Sequence, residues 1–220
     1  MLFRSAEVHG AEYKGRRCGG LGDISTFSFY ANKLVTTGEG GMLLVRTSEL
    51  VERARGLRNL CFQKKQRFLH EELGYNYRMT NLQAALGLGQ VRRIEQIVAR
   101  KREIAALYNR LLQAVSVISL PLEESWARNV YWVYGILLNL DAALDAVELT
   151  RRMAERGIET RPFFLGMHEQ PVFNKMGLFA GESYPVAERL ARFGLYIPSG
   201  LGITAQQQEQ VVDALKDSLA

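Results

Sequence analysis

The sequence is poor in residues that staple or ligate. It has two cysteines in 220 residues, Cys18 and Cys61, far apart and outside any metal-ligand spacing. His9, His70 and His168 are scattered, so no zinc site and no other metal site is expected. A disulfide framework is excluded as well, which fits a reducing cytoplasm. No apolar run approaches the ~20 residues of a membrane-spanning helix. The N-terminal MLFRSAEVHG lacks the apolar stretch of a signal peptide, and no membrane partner is expected. There is no internal repeat and no low-complexity linker. Acidic charge is in deficit, with 23 Asp and Glu against 28 Lys and Arg. The basic residues are nevertheless spread among Glu52, Glu95 and Glu103, with one modest cluster at Lys64-Lys65-Gln66-Arg67. That pattern reads as solvated helical faces, not as a nucleic-acid stripe, and no nucleic-acid partner is expected.

Composition is otherwise ordinary for a globular chain, 47% hydrophobic and 23% charged. The chain is long enough for one large or two small domains. It is organised around residues 22–41. Thr26-Phe27-Ser28-Phe29-Tyr30 alternates aromatic and polar residues and reads as a strand. Gly38-Glu39-Gly40-Gly41 reads as a tight turn with positive φ. Met42-Leu43-Leu44-Val45 then reads as a second, fully apolar strand. Lys33 lies between these strands, near the Ser28 hydroxyl and the Asn32 amide. Burial in that setting is expected to lower its pKa, and a neutral amine is what attack on a carbonyl needs. The same residues also allow a solvated lysine in a strand-to-turn connection.

Residues 1–21 carry Gly15, Gly19 and Gly20 and read as loop. Ser48 is the expected N-cap of a helix to about residue 59, with Leu50, Val51, Ala54 and Leu57 as its apolar face. Residues 60–73 read as polar, basic loop. Thr80 and Gln83 make a capping box. It opens a helical pattern from residue 81 to about residue 112, expected to bend or split at Gly87 and Gly89. Asn76 and Arg78, just before it, read as polar residues of a capping loop. From about residue 113 a second domain is expected. It starts with a strand over 115–120 and an aromatic strand over 129–138 that reads as core. A helix over 145–156, stopped by Gly157, follows. Pro162 should turn a strand into loop, with Arg161 beside it as a surface ion-pair residue. A short helix from Pro185 to about residue 193, a brief strand over 195–201 and a helix opened by Thr204 and Gln207 complete an α/β chain.

Several stretches, taken together, resemble one family. They are Ala6-Glu7-Val8-His9-Gly10-Ala11, then Ser28-Phe29-Tyr30-x-Asn32-Lys33-x-x-Thr36-Thr37-Gly38-Glu39-Gly40-Gly41. Gly74-Tyr75-Asn76-Tyr77-Arg78-Met79-Thr80-Asn81 is next, and then Gly157-Ile158-Glu159-Thr160-Arg161-Pro162-Phe163-Phe164 with His168-x-Gln170-Pro171. The chain resembles the C-terminal part of the DegT/DnrJ/EryC1/StrS family of pyridoxal-phosphate (PLP) dependent sugar aminotransferases, in particular its perosamine-synthase-like branch. The resemblance implies a type I PLP-dependent transferase fold, aspartate aminotransferase-like, with the N-terminal half of the large domain missing. Residues 1–112 would be the remnant of that large domain and residues 113–220 the small C-terminal α/β domain. The implied reaction moves an amino group from glutamate to a nucleotide-linked 4-keto-6-deoxy sugar for polysaccharide or O-antigen synthesis. Lys33 would bind PLP covalently and then act as general base. Ser28 and Asn76 would hold the cofactor phosphate, Asn76 across a homodimer interface. Glu7 would lie at the cofactor ring, and His9, Arg78 and Arg161 near the substrate. Relatives that dehydrate a keto sugar carry histidine where this chain has Lys33.

Two departures accompany the resemblance. The family aspartate that pairs with the PLP ring nitrogen matches Arg4 here, and an arginine opposes protonation of that nitrogen. Family members are also considerably longer before the Glu7 motif. The chain is therefore expected to be a truncated or interrupted member, with residues 1–4 as junction sequence. Only two strands of the large sheet should remain, and their open edges invite association. The alternative reading is a catalytically inactive remnant or a dimerising interaction module of that family.

Overall fold

The computed structural model describes residues 2–62 and 66–220, with backbone only at residues 2–4; Lys64 and Lys65 of the basic cluster lie outside the described residues. Strands β1 (Leu2–Arg4), β2 (Glu12–Tyr13), β3 (Arg16–Arg17), β4 (Ile24–Ser28) and β5 (Gly41–Val45) come first, then helices α1 (Ser48–Arg58), α2 (Asn81–Val91) and α3 (Ile94–Leu112). They are followed by β6 (Ile118–Ser119), β7 (Ala127–Arg128), β8 (Tyr134–Leu138), α4 (Ala146–Glu155) and β9 (Arg161–Pro162). The last elements are α5 (Pro171–Lys175), α6 (Pro185–Phe193), β10 (Gly194–Ile197) and α7 (Ala205–Leu219). The chain forms two compact units, Met1–Ala99 with Glu123–Trp132 and Arg100–Leu122 with Val133–Ala220. The division thus falls inside α3 and not at residue 112, and residues 123–132 return to the first unit.

In the first unit, β1 pairs parallel to β4 and β4 antiparallel to β5. Residues 2–4, expected as junction sequence, are therefore a strand in register, and this sheet has three strands where two were expected. The second strand is not buried: Met42, Leu43 and Leu44 are 48, 50 and 44% exposed, so both faces of β5, an edge strand of this sheet, stand open. The first residues are not all loop either. Lys14 (φ 49) and Gly15 (φ 72) close a β2–β3 hairpin, the backbone shape that a two-residue hairpin turn needs. β7 pairs with β2 across the chain. Ala11, Leu34, Val98 and Val130 form a buried cluster, with Val8, Cys18, Ile94, Ile97 and Trp132 packed against it.

The cap of α1 is Thr47, one residue before the expected Ser48, and its hydroxyl accepts from Leu50 N at 3.3 Å. The expected apolar face of α1 is only half-buried. The capping box of α2 is present as expected. The helical run breaks at Arg92 and Arg93, past the glycines, through a tightened turn in which Arg93 N donates to Gln90 O at 2.9 Å.

The second unit holds an antiparallel sheet in the order β6-β8-β10-β9. Pro162 stands on its edge strand, where a missing N–H is tolerated. The expected aromatic strand over 129–138 begins only at Tyr134. Tyr131 takes a φ of 47, and its N–H donates to Asn129 Oδ1 at 2.8 Å, which ends extended pairing. Leu149 and Met153 of α4 and Val211, Val212 and Leu215 of α7 are buried. Asp145 caps α4 and Gly157 (φ 76) ends it. Lys101 of α3 is buried and donates to Ser199 O at 2.6 Å and Ser199 Oγ at 3.2 Å. Among the described residues, no helix is long and apolar enough to cross a membrane.

Candidate functional site

β4 ends at Ser28, and the chain then closes a loop on its own backbone. Phe29 N donates to Gly40 O at 2.9 Å, Thr37 N to Phe29 O at 2.9 Å, and Lys33 N to Tyr30 O at 3.0 Å. Leu34 and Val35 are buried and anchor the loop in the core. Gly40 has no room for a side chain, since a Cβ there would lie 2.6 Å from Thr37 Oγ1 and 2.9 Å from Met79 Cε. Helix α2 holds the loop from another side. Gln90 bonds both the N–H and the carbonyl of Thr36, and Gln83 Nε2 donates to Glu39 O at 3.0 Å. At Gly87 the helix lies flush against Thr37, where a Cβ would come within 2.8 Å of Cγ2. The sequence reading used Gln83 only as a cap and missed Gln90. Its signal was a set of small or amide residues, 83, 87 and 90, on one helical face.

The Lys33 side chain is 10% exposed, and its Nζ lies 2.8 Å from Glu7 Oε1. On another side is the Trp132 ring, whose centroid is 4.0 Å from Nζ. The lysine is thus withdrawn from water, but it is not the lone ammonium between buried strands that was expected. A carboxylate and an aromatic face both attract its cation. Trp132, read from sequence as core within a strand, is a wall of this site instead.

His9 is buried beside them, with its ring tilted against Phe27 and Phe29 at centroid distances of 5.1 and 5.3 Å. Both ring nitrogens are buried and have no hydrogen-bond partner among the described residues. Burial, and then the Lys33 charge, pushes the imidazole below its ordinary pKa, with Glu7 opposing in part. It is therefore neutral at neutral pH. Ser28 stands at the root of the Lys33 loop, where its Oγ accepts from Tyr30 N at 3.3 Å and keeps its own proton to donate.

The other expected site residues fall elsewhere. Arg78 Nε donates to Asn76 Oδ1 at 2.8 Å and Arg78 Nη1 to Asn59 Oδ1 at 3.0 Å, all exposed. Asn76 also bridges to Asn59 at the end of α1. The partners in this cluster are one another, not Lys33. Arg161 lies in the second unit, exposed, with Nη2 3.1 Å from Glu159 Oε1. The Arg4 backbone pairs with Thr26. Among the described residues, no group of His, Cys, Asp and Glu could hold a metal ion. Around Lys33, among the described residues, groups with capacity left for a ligand include the Lys33 amine, the Ser28 hydroxyl and the two His9 nitrogens.

The chain matches the DegT/DnrJ/EryC1/StrS aminotransferase family over residues 1–216. It is 34% identical over 212 residues to a GDP-perosamine synthase of Escherichia coli O157:H7, covering 96% of this chain and 56% of that protein. It is 32% identical over 212 residues to the putative pyridoxal phosphate-dependent aminotransferase EpsN of Bacillus subtilis (strain 168), covering 96% of this chain and 54% of that protein. Among solved structures, the aminotransferase TlmJ from Streptoalloteichus hindustanus matches with a TM-score of 0.84 at 30% identity, covering 95% of this chain and 55% of that chain. The chain spans little more than half the length of the curated relatives it matches, and the matched part is the C-terminal one. Its fold is that of the type I PLP-dependent transferases, mixed α/β.

Proposed function

This chain belongs to the DegT/DnrJ/EryC1/StrS aminotransferase family, whose cofactor is PLP, and on that premise we propose that it forms the C-terminal part of a sugar aminotransferase site. The reaction moves an amino group from glutamate to a nucleotide-linked 4-keto-6-deoxy sugar of the perosamine type. The observation that carries this reading is Lys33, an amine withdrawn from water, with Glu7 against it and an unpartnered imidazole beside it. These residues fit the cofactor: a buried amine to hold it, a hydroxyl with a proton to donate, and orphaned nitrogens that need a polar partner.

Lys33 would hold PLP, with Ser28 of the same chain and Asn76 of a second copy on its phosphate and Glu7 at its ring. Bound PLP supplies an aldehyde for amino exchange and a ring that accepts electrons. The protein's residues supply the proton handling. Glu7, 2.8 Å from Nζ, takes the proton that Lys33 must shed before it acts as nucleophile or general base. Neutral His9 offers one nitrogen as donor and one as acceptor to a sugar hydroxyl or carbonyl. Arg78 and Arg161 supply cationic contacts suited to the phosphates of a nucleotide-linked substrate. The free thiols of Cys18 and Cys61 suit a reducing compartment, the cytoplasm.

One observation favours a second reading, a non-catalytic module that dimerises. Leu82, Leu86 and Leu88 on α2 are 84, 55 and 52% exposed, and the apolar residues of β5 are exposed as well. Surfaces of this kind suit a protein partner, here a second copy in a homodimer. Incubation with PLP, reduction by borohydride and mapping by mass spectrometry separates the readings. A pyridoxyl group on Lys33, absent from Lys33→Ala, is expected. Scattered labelling or none would leave the dimerising module, and light scattering would then read its oligomeric state.

A further inference from the structure

We propose that Trp132 is a positioning residue for Lys33, holding the ammonium on its indole face while it fixes the peptide that leads into the lysine. Two contacts of one side chain carry this. The Lys33 Nζ sits 4.0 Å from the centroid of the Trp132 ring, over the electron-rich face of the aromatic system. The same indole donates its Nε1–H to Asn32 O at 2.7 Å, and that carbonyl belongs to the peptide bond entering Lys33. Trp132 therefore grips both the head and the root of a flexible four-carbon side chain. With the head also against Glu7 at 2.8 Å, the amine is held from two sides, and its stem has little freedom left.

The placement of Trp132 is itself constructed. Residues 123–132 belong to the first unit although both flanks belong to the second. The segment is tied down by β7 pairing with β2, by Asn129 N donating to Glu123 Oε1 at 2.7 Å and by Val130, which joins Leu34 and Val98 in the core. Tyr131 then takes a φ of 47, an uncommon conformation for a bulky residue. That reversal interrupts an aromatic run that would otherwise extend as a strand, and the next residue is the indole on Lys33. A half-buried indole N–H takes an acceptor in any case, but here the acceptor is the carbonyl next to the lysine whose head lies on the same ring. A positioning role accounts for that choice, because orientation of the reacting amine is what a covalent lysine requires.

The proposal rests on reading Lys33 as the reactive amine, and its test keeps the two apart. The chain has two tryptophans, Trp126 and Trp132, so a Trp126→Phe background makes Trp132 the sole indole. In that background Lys33→Met is expected to raise Trp132 emission roughly two-fold, since a quenching cation leaves the ring face, whereas Lys33→Arg keeps the charge there. This arm leaves Trp132 itself intact and does not depend on a destabilised variant. In the second arm, PLP and borohydride label Lys33. Trp132→Leu is expected to lower that labelling about ten-fold, with partial rescue in Trp132→Phe, which keeps a ring face but not the N–H. Unchanged emission in Lys33→Met overturns the proposal, as does equal labelling of Trp132→Leu and its parent. If emission responds as expected but PLP labels no lysine, the positioning stands and the cofactor reading falls.

Discussion

Gln90 holds both backbone groups of Thr36: its Oε1 accepts from Thr36 N at 3.1 Å, and its Nε2 donates to Thr36 O at 2.7 Å. A side-chain amide here does what a neighbouring strand would do, satisfying backbone groups of a loop that has no strand beside it. Gln90→Leu removes both bonds and leaves a partly buried donor and acceptor without partners. A loss of about 1–3 kcal/mol in urea unfolding is expected. Gln90→Glu keeps an acceptor for Thr36 N but turns an oxygen toward Thr36 O, so it should fall short of full rescue. Wild-type stability in Gln90→Leu would show that the loop does not depend on α2.

Two glycines of the same helix should respond to alanine with opposite signs. At Gly89 an added Cβ meets nothing within 4 Å, so Gly89→Ala should stabilise by about 0.5–1 kcal/mol through helix propensity and lower chain entropy. At Gly87 the Cβ would stand 2.8 Å from Thr37 Cγ2. Thr37 is buried, with its hydroxyl bonded to Glu39 O at 2.7 Å, so it cannot swing aside. Gly87→Ala should therefore lose about 1–3 kcal/mol to overpacking, more than propensity returns. Thermal melting of both variants decides the matter, and a rise in melting temperature for Gly87→Ala would mean that α2 shifts freely on the loop.

These contacts show what the sequence made legible. The capping boxes at Thr80 and Thr204, the helix from about residue 145 stopped by Gly157, and the Pro185 start all appear as read, because each is decided within a few residues. The β2–β7 pairing and the Trp132–Asn32 bond join residues about a hundred positions apart, and nothing local announces them. Lys33 was legible as the centre of a motif, but Glu7 as its ion-pair partner and Trp132 as its wall were not. The break after α2 was expected at Gly87 and Gly89, yet both stay helical because Gln90 and Gly87 face the Lys33 loop. The helix breaks at Arg93 instead, before Glu95 pairs with Arg17 at 2.6 Å. Partners on either side of the break, and not propensity, set its place.

Lys101 gives a pH dependence in the second unit. Burial pushes its ammonium from 10.5 down to about 8, although Ser199 supplies two acceptors. Between these values the unfolded chain keeps a proton that the folded chain has released, so stability rises with pH across that window. The penalty of the buried charge is fully felt below about pH 8 and is gone above 10.5, a swing on the order of 3 kcal/mol. Urea midpoints at pH 7.5 and 9.5 should therefore rise in the parent and change less in Lys101→Met. Equal slopes in the two proteins would show that the ammonium is as well accommodated inside as in water.

His9 makes the opposite edge of the pH range informative. Its imidazole is pressed below the ordinary value by burial and by Lys33, with Glu7 working the other way. The depressed folded value means that the unfolded chain takes up a proton first as pH falls through about 6.5, so stability is lost on acidification and is intact above that point. Two buried nitrogens without partners also cost stability at neutral pH, about 1–3 kcal/mol for an unsatisfied polar group. His9→Leu removes both burdens between Phe27 and Phe29 at similar volume. It should match or exceed the parent in urea at pH 7 and lose less between pH 7 and pH 5. That result would fit a residue kept at the expense of stability, as sites that must bind a ligand are. A His9→Leu protein that is less stable at pH 7 and equally acid-sensitive would place the imidazole in the packing instead.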